Sequence, residues 1–64
     1  MFKVEYTNGT TEKISADEFL VKNGVVAFYT IKFEPAGYKQ SNKISTFVVA
    51  FSLANIRKFE LAND

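Results

Sequence analysis

Sixty-four residues with a mass of 7.2 kDa amount to one small domain, which excludes a two-domain enzyme or a receptor with separate binding lobes. The composition, 47% apolar and 23% charged with a net charge of +1, is that of a globular chain, and no apolar run approaches the roughly 18 residues that would mark a membrane span. With neither cysteine nor histidine, the chain has no disulfide framework or thiolate nucleophile, and it lacks the commonest metal ligand and the commonest general base.

Lys3, Glu5 and Glu12 interrupt every candidate apolar stretch near the start, so no secretory signal is read and the expected compartment is the cytoplasm. Size sets the energetic constraint. Surface scaling gives an unfolded area of roughly 10,400 Å² and a folded area of roughly 4,100 Å², so about 60% of the surface is buried on folding. At that fraction apolar transfer and the entropy of ordering nearly cancel, and small chains close the gap with disulfides, a metal or association. Without Cys or His, self-association or docking on a partner is the leading expectation.

Phe2 to Thr7 alternates apolar and polar residues and runs into Asn8-Gly9, a hairpin signal because both residues tolerate positive φ. A strict two-residue loop would pair Val4 with Lys13 and turn Ile14 to the wrong face. A three-residue loop, or a bulge, that pairs Val4 with Ile14 and Glu5 with Lys13 satisfies both faces and is preferred. Ala16-Asp17-Glu18 reads as a short connection or a single helical turn. A second hairpin centres on Asn23-Gly24, pairing Val21 with Val26 and Phe19 with Phe28 on one face. The strand that leaves it runs from Val25 to about Glu34, and its inward pattern switches from Val26 and Phe28 to Tyr29, Ile31 and Phe33. Such a switch suggests a bulge where a strand passes from one sheet to another.

Pro35-Ala36-Gly37 should end that strand, and residues 35 to 43 form the one long polar loop. Ile44 to Ser52 reads as a further strand, Leu53-Ala54-Asn55 as a 3-10 turn, and Ile56 to Leu61 as a last strand with Phe59 and Leu61 inward. Residues 62 to 64 are expected to fray. The predicted fold is therefore all-β: a small antiparallel barrel or bent sheet of five to six strands, with a short 3-10 turn before the last one. The layout is similar to an SH3-type barrel. In length and opening hairpins it also resembles the small archaeal chromatin proteins that bind the DNA minor groove, although eight Lys and Arg against seven Asp and Glu depart from their markedly basic charge.

Three functional classes follow. Catalysis would have to use the carboxylates Glu5, Glu12, Asp17, Glu18, Glu34, Glu60 and Asp64, none of which forms a nucleophile-and-base constellation, and no Asp-rich loop has cation-binding spacing. The chain is therefore read as non-catalytic, without cofactor or metal. For nucleic acid, residues 1 to 34 carry four lysines and five acids, whereas residues 35 to 59 carry Lys39, Lys43, Arg57 and Lys58 without an acid. If the 35–43 loop lay beside the last strand, these cations could line a phosphate track with Tyr38 as a stacking platform, giving a weak binder with a salt slope of about −3.6.

Protein association has the most support. Ile44 to Phe51 is uncharged, rich in β-formers and apolar on both faces in its second half, so it must be central in the sheet or paired across an interface. Ten aromatic residues exceed what a core this small needs, and Tyr29, Phe33 and Tyr38 are assigned to the surface. The expected protein-binding set is Tyr29, Phe33, Tyr38, Phe47, Val49 and Phe51, serving self-association and an unidentified protein partner. This profile suits a small regulator or inhibitor of the kind carried by viruses and mobile elements. A barrel mouth holding a small ligand is a weaker alternative.

Overall fold

The computed structural model describes residues 1–62. Its elements are β1 (Phe2–Tyr6), β2 (Thr11–Ile14), β3 (Glu18–Lys22), β4 (Val25–Gly37), β5 (Gln40–Ser52), a 3-10 turn (Leu53–Asn55) and β6 (Ile56–Leu61). The strands form two antiparallel sheets of three, in the orders β2-β1-β6 and β3-β4-β5. The chain is thus all-β with the 3-10 turn where the sequence places it, and among the described residues no ladder joins the two sheets into a closed barrel.

The first hairpin has a three-residue loop, but one position earlier than expected. Gly9 N–H donates to the Tyr6 carbonyl at 3.0 Å and Tyr6 N–H to the Thr10 carbonyl at 2.8 Å. Gly9 takes φ +90°, the left-handed residue that such a loop requires. The Asn8 carboxamide oxygen holds the far side, accepting from Thr10 N–H at 3.0 Å. Pairing therefore becomes Phe2↔Ile14, Lys3↔Lys13, Val4↔Glu12 and Glu5↔Thr11, correcting the predicted Val4–Ile14 and Glu5–Lys13 pairs. A shift of two residues preserves the face of every side chain, so Val4 and Ile14 still point into the core.

The second hairpin follows the sequence reading. Asn23 and Gly24 both have positive φ, 53° and 74°, and the register pairs Val21 with Val26 and Phe19 with Phe28. Residues 15 to 17 make a connection without a helical turn. Asp17 works here as an extension of the β3 ladder. Its backbone N–H donates to the Tyr29 carbonyl at 2.8 Å, and its carboxylate accepts the Ile31 N–H at 2.6 Å.

The largest departure from expectation lies in residues 35 to 43, where β4 and β5 continue as one hairpin to a turn at Tyr38-Lys39, with Gly37 opposite Gln40. Lys39 adopts φ 59° and Gly37 φ 139°, supplying the chain reversal that a long polar loop was predicted to make. Pro35 is tolerated because β3 accompanies β4 only from Val25 to Tyr29, so beyond that point β4 has β5 on one side alone. Thirteen residues at about 3.3 Å each span roughly 43 Å, which accounts for most of the 50 Å long axis. The hairpin projects as an arm, and the radius of gyration is 14.2 Å against about 11 Å for a compact chain of this length.

The bulge expected near Tyr29 is present, but its extra residue is on the partner strand. Phe28 pairs with Val49 and Tyr29 with Phe47, leaving Val48 unmatched. β4 stays in one sheet and does not pass to another, correcting the predicted change of sheet. Side chains of β4 alternate without interruption while those of β5 change face at Val48.

The core lies between the sheets: Phe2 and Val4 of β1, Ile14 of β2, Ala16, and Val26 and Phe28 of β4 are buried. Tyr6, Val49, Phe51, Leu53, Ile56 and Phe59 pack around them. Phe28 is its centre, with ring centroids of Phe2 at 5.2 Å, Phe59 at 5.8 Å and Phe51 at 6.1 Å. β6 pairs with β1, Val4 facing Phe59 and Phe2 facing Leu61. Leu61 nevertheless remains 69% exposed, contrary to its inward assignment, because it sits at the end of the strand. Ala62 N–H is tied to the Met1 carbonyl at 2.9 Å, whereas positions 63 and 64, also expected to fray, lie outside the described residues.

Tyr6 and Glu12 close the loop end of the first sheet, the tyrosine hydroxyl donating to the carboxylate. That bond, with smaller contributions from burial and from the negative charge of Glu12, raises the Tyr6 pKa above its ordinary value. A raised folded-state pKa favours the protonated hydroxyl, so this stabilisation is complete below the ordinary tyrosine value near ~10 and is lost as pH climbs through the raised one. Ultraviolet difference titration should show Tyr6 ionising at higher pH in the wild type than in Glu12→Gln. Identical curves would mean the bond does not form.

Candidate functional site

The candidate site is the arm, and its geometry follows from the bulge. Up to Phe28, the even residues of β4 and the odd residues of β5, Val49 and Phe51, face the core. Beyond it, Tyr29 stands opposite Phe47, Ile31 opposite Ser45 and Phe33 opposite Lys43, all on the face directed away from the core. The Tyr29 and Phe47 rings meet edge to face at 6.0 Å. On the other face of the arm are Thr30, Lys32, Glu34, Asn42, Ile44 and Thr46, with Lys32 and Glu34 paired at 3.7 Å. The arm is amphipathic, and its more apolar side is the one that faces away from the body.

This outer face continues onto the body through Leu20 of β3, which stands opposite Ala27. Where arm and body meet, Glu18, Phe19, Leu20, Tyr29 and Ser45 line an open depression of about 290 Å³. Glu18 binds the two sides together, accepting from Ser45 Oγ at 3.3 Å and from Lys43 Nζ at 3.3 Å. Phe33 is 64% and Phe47 59% exposed, and Tyr38 at the tip is 87% exposed with Lys39 Nζ 5.3 Å from its ring centroid.

The six residues expected at a protein interface therefore occupy three places. Tyr29, Phe33 and Phe47 share the outer face, Tyr38 caps the tip, and Val49 and Phe51 belong to the core, where the Phe51 ring meets Tyr6 at 5.6 Å. Leu20, Ile31, Glu18 and Ser45 complete the outer surface: Leu20 and Ser45 were not singled out from sequence, Glu18 was named only as a carboxylate, and Ile31, read there with Tyr29 and Phe33 as turning inward, faces outward with them. Leu20 left a signal, since the run Phe19-Leu20-Val21 is apolar at inward and outward positions alike. Of the two positions read for 44–51, central in the sheet or paired across an interface, the central one is corrected: β4 is central and β5 is an edge strand.

The cations of the second half are not assembled on one track. Lys39 is at the arm tip, Lys43 is paired with Glu18, and Arg57 Nε lies 3.3 Å from a Glu5 carboxylate oxygen. Lys58 stands opposite Glu5 on β6 in the other sheet. No protein-family model, curated protein or solved structure matches the chain. What fold and surface define is a class: a small two-sheet β protein with a projecting amphipathic hairpin.

Proposed function

We propose that this protein is a non-catalytic binding module, a small regulator or inhibitor that occupies a site on a partner protein with the outer face of its arm. The observation that carries this reading is the placement of Tyr29, Ile31, Phe33 and Phe47 on the side of the arm away from the core, where Phe33 and Phe47 are exposed and Tyr29 and Ile31 half-buried. Aromatic anchors clustered with a depression and rimmed by polar groups are the usual composition of an interface centre. Here the depression beside Tyr29 receives an apolar side chain of the partner, with Glu18, Lys43 and Ser45 at the rim. The body, in which the 3-10 turn leads into β6 and β6 returns to β1, supports reading the fold as an opened relative of the SH3-type barrel that holds the arm rigidly.

The test is capture from a host lysate by the tagged wild type and by Phe33→Asp/Phe47→Asp. Charges on both anchors should abolish retention of the captured protein, a loss of at least about 100-fold in affinity for two hot-spot residues, while the circular dichroism stays that of the wild type. A partner retained equally by both chains would overturn the reading.

A further inference from the structure

We infer that two copies of this chain join along the outer edge of β5, which pairs antiparallel with β5 of the second copy to make one six-stranded sheet. This does not rest on the partner-binding reading. The argument begins with the edges. Among the described residues no strand occupies the second edge of β5, and native proteins protect such edges with charge, proline or short length. The other edges follow that rule. β2 is four residues long and carries Glu12 and Lys13, β3 is five residues long with Glu18 and Lys22 at its ends, and β6 carries Arg57, Lys58 and Glu60. The open side of β4 beyond Tyr29 has Lys32, Glu34 and Pro35, and Asp17 already takes the Ile31 N–H.

β5 has none of these safeguards from Ile44 to Ser52, nine residues without charge or proline. The bulge at Val48 bends the strand at one point without placing a charge there. Its one charged residue, Lys43, is neutralised within the chain by Glu18 at 3.3 Å, so self-pairing brings no uncompensated like charges together.

Closure selects a second copy as the occupant. A strand that pairs with itself about a two-fold axis consumes both β5 edges, and the new sheet ends at each side on β3, bounded by Glu18 and Lys22, and on the open side of β4 with its Lys32, Glu34 and Pro35. Assembly stops at two. The edge available is long: β5 runs thirteen residues, roughly 43 Å at about 3.3 Å per residue, and its last nine carry no charge. An axis perpendicular to the sheet also places both outer faces on the same side, so Tyr29 and Phe47 of each copy join in one aromatic surface.

Sedimentation equilibrium of the wild type and of Thr46→Lys/Val48→Lys tests this. An axis at Thr46 pairs the whole of β5 with its copy and one at Val48 pairs its uncharged part, so the double variant sets lysines against each other in either register. Both positions are exposed, and circular dichroism checks that the variant remains folded. The wild type should have twice the 7.2 kDa chain mass at tens of micromolar, and the folded variant the single mass. Amide exchange gives a second readout that needs no variant: in the dimer all amides of 44–52 except the bulge are slow, whereas a bare edge exchanges rapidly at alternate residues. A wild-type monomer with alternating exchange, an open-ended polymer, or a dimer that survives the double substitution would overturn the inference. Partner capture by the monomeric variant separates its failure from that of the arm.

Discussion

Phe28→Ala is expected to remove about 3–5 kcal/mol of stability, the usual cost of truncating a buried phenylalanine. At roughly 0.05–0.15 kcal/mol per residue a chain of this length has only about 3–10 kcal/mol in total, so the substitution removes between about a third and all of that margin. The reason is positional. Phe28 is fully buried and its ring joins β1 to β6 through Phe2 and Phe59 and joins β5 through Phe51. One cavity would therefore loosen both sheets. Phe33→Ala, equally large in volume, should change stability by no more than about 0.5 kcal/mol, the range for a surface position. Urea denaturation of both, followed by circular dichroism at equal chain concentration, measures the contrast. A loss under about 1 kcal/mol for Phe28→Ala would place the core elsewhere.

Removing the arm should separate folding from binding. Replacing residues 32 to 44 by Asn-Gly joins Ile31 to Ser45, which already face each other, through a two-residue turn compatible with hairpin twist. No buried residue is lost, since the buried set ends at Phe28. The shortened chain should melt cooperatively within a few degrees of the full one, and it should capture no partner, because Phe33 and the Tyr38 tip are gone and the depression has lost the Lys43 side of its rim. Loss of the cooperative transition would show that the arm is needed to hold the body.

Local turn chemistry made much of this fold legible in the sequence. Asn23-Gly24 fixed both the loop and its register, because two positive φ angles in a row leave one hairpin geometry. The first hairpin offered three adjacent loop placements differing by a single residue. Face alternation cannot separate two registers that differ by two residues, so the faces were legible and the pairs were not. The arm was hidden by composition: Pro35, Gly37 and the polar run to Lys43 look like a loop wherever a strand is assumed to need neighbours on both sides. With only β5 beside it, a strand tolerates proline and polar residues, and that condition is tertiary.

The site was half legible for the same reason. Exposure of some aromatics followed from counting ten of them against a small core, but which ones depended on Val48. The unmatched residue sits on β5, and the face change it imposes separates Phe47 from Val49 and Phe51, three residues that sequence alternation alone groups together. The uncharged character of Ile44–Ser52 was visible from the start, whereas its place at a sheet edge came only from the order β3-β4-β5.

The central claim is that the outer face of the arm is presented to a partner and is no part of the core. Because the chain has no tryptophan, Phe33→Trp introduces a single clean reporter at a 64% exposed position. In the free protein its emission should be red-shifted and readily quenched by acrylamide, and addition of the captured partner should shift it to the blue and protect it. A blue-shifted, unquenchable tryptophan in the free protein, or a red one that the partner leaves unchanged, would contradict the account.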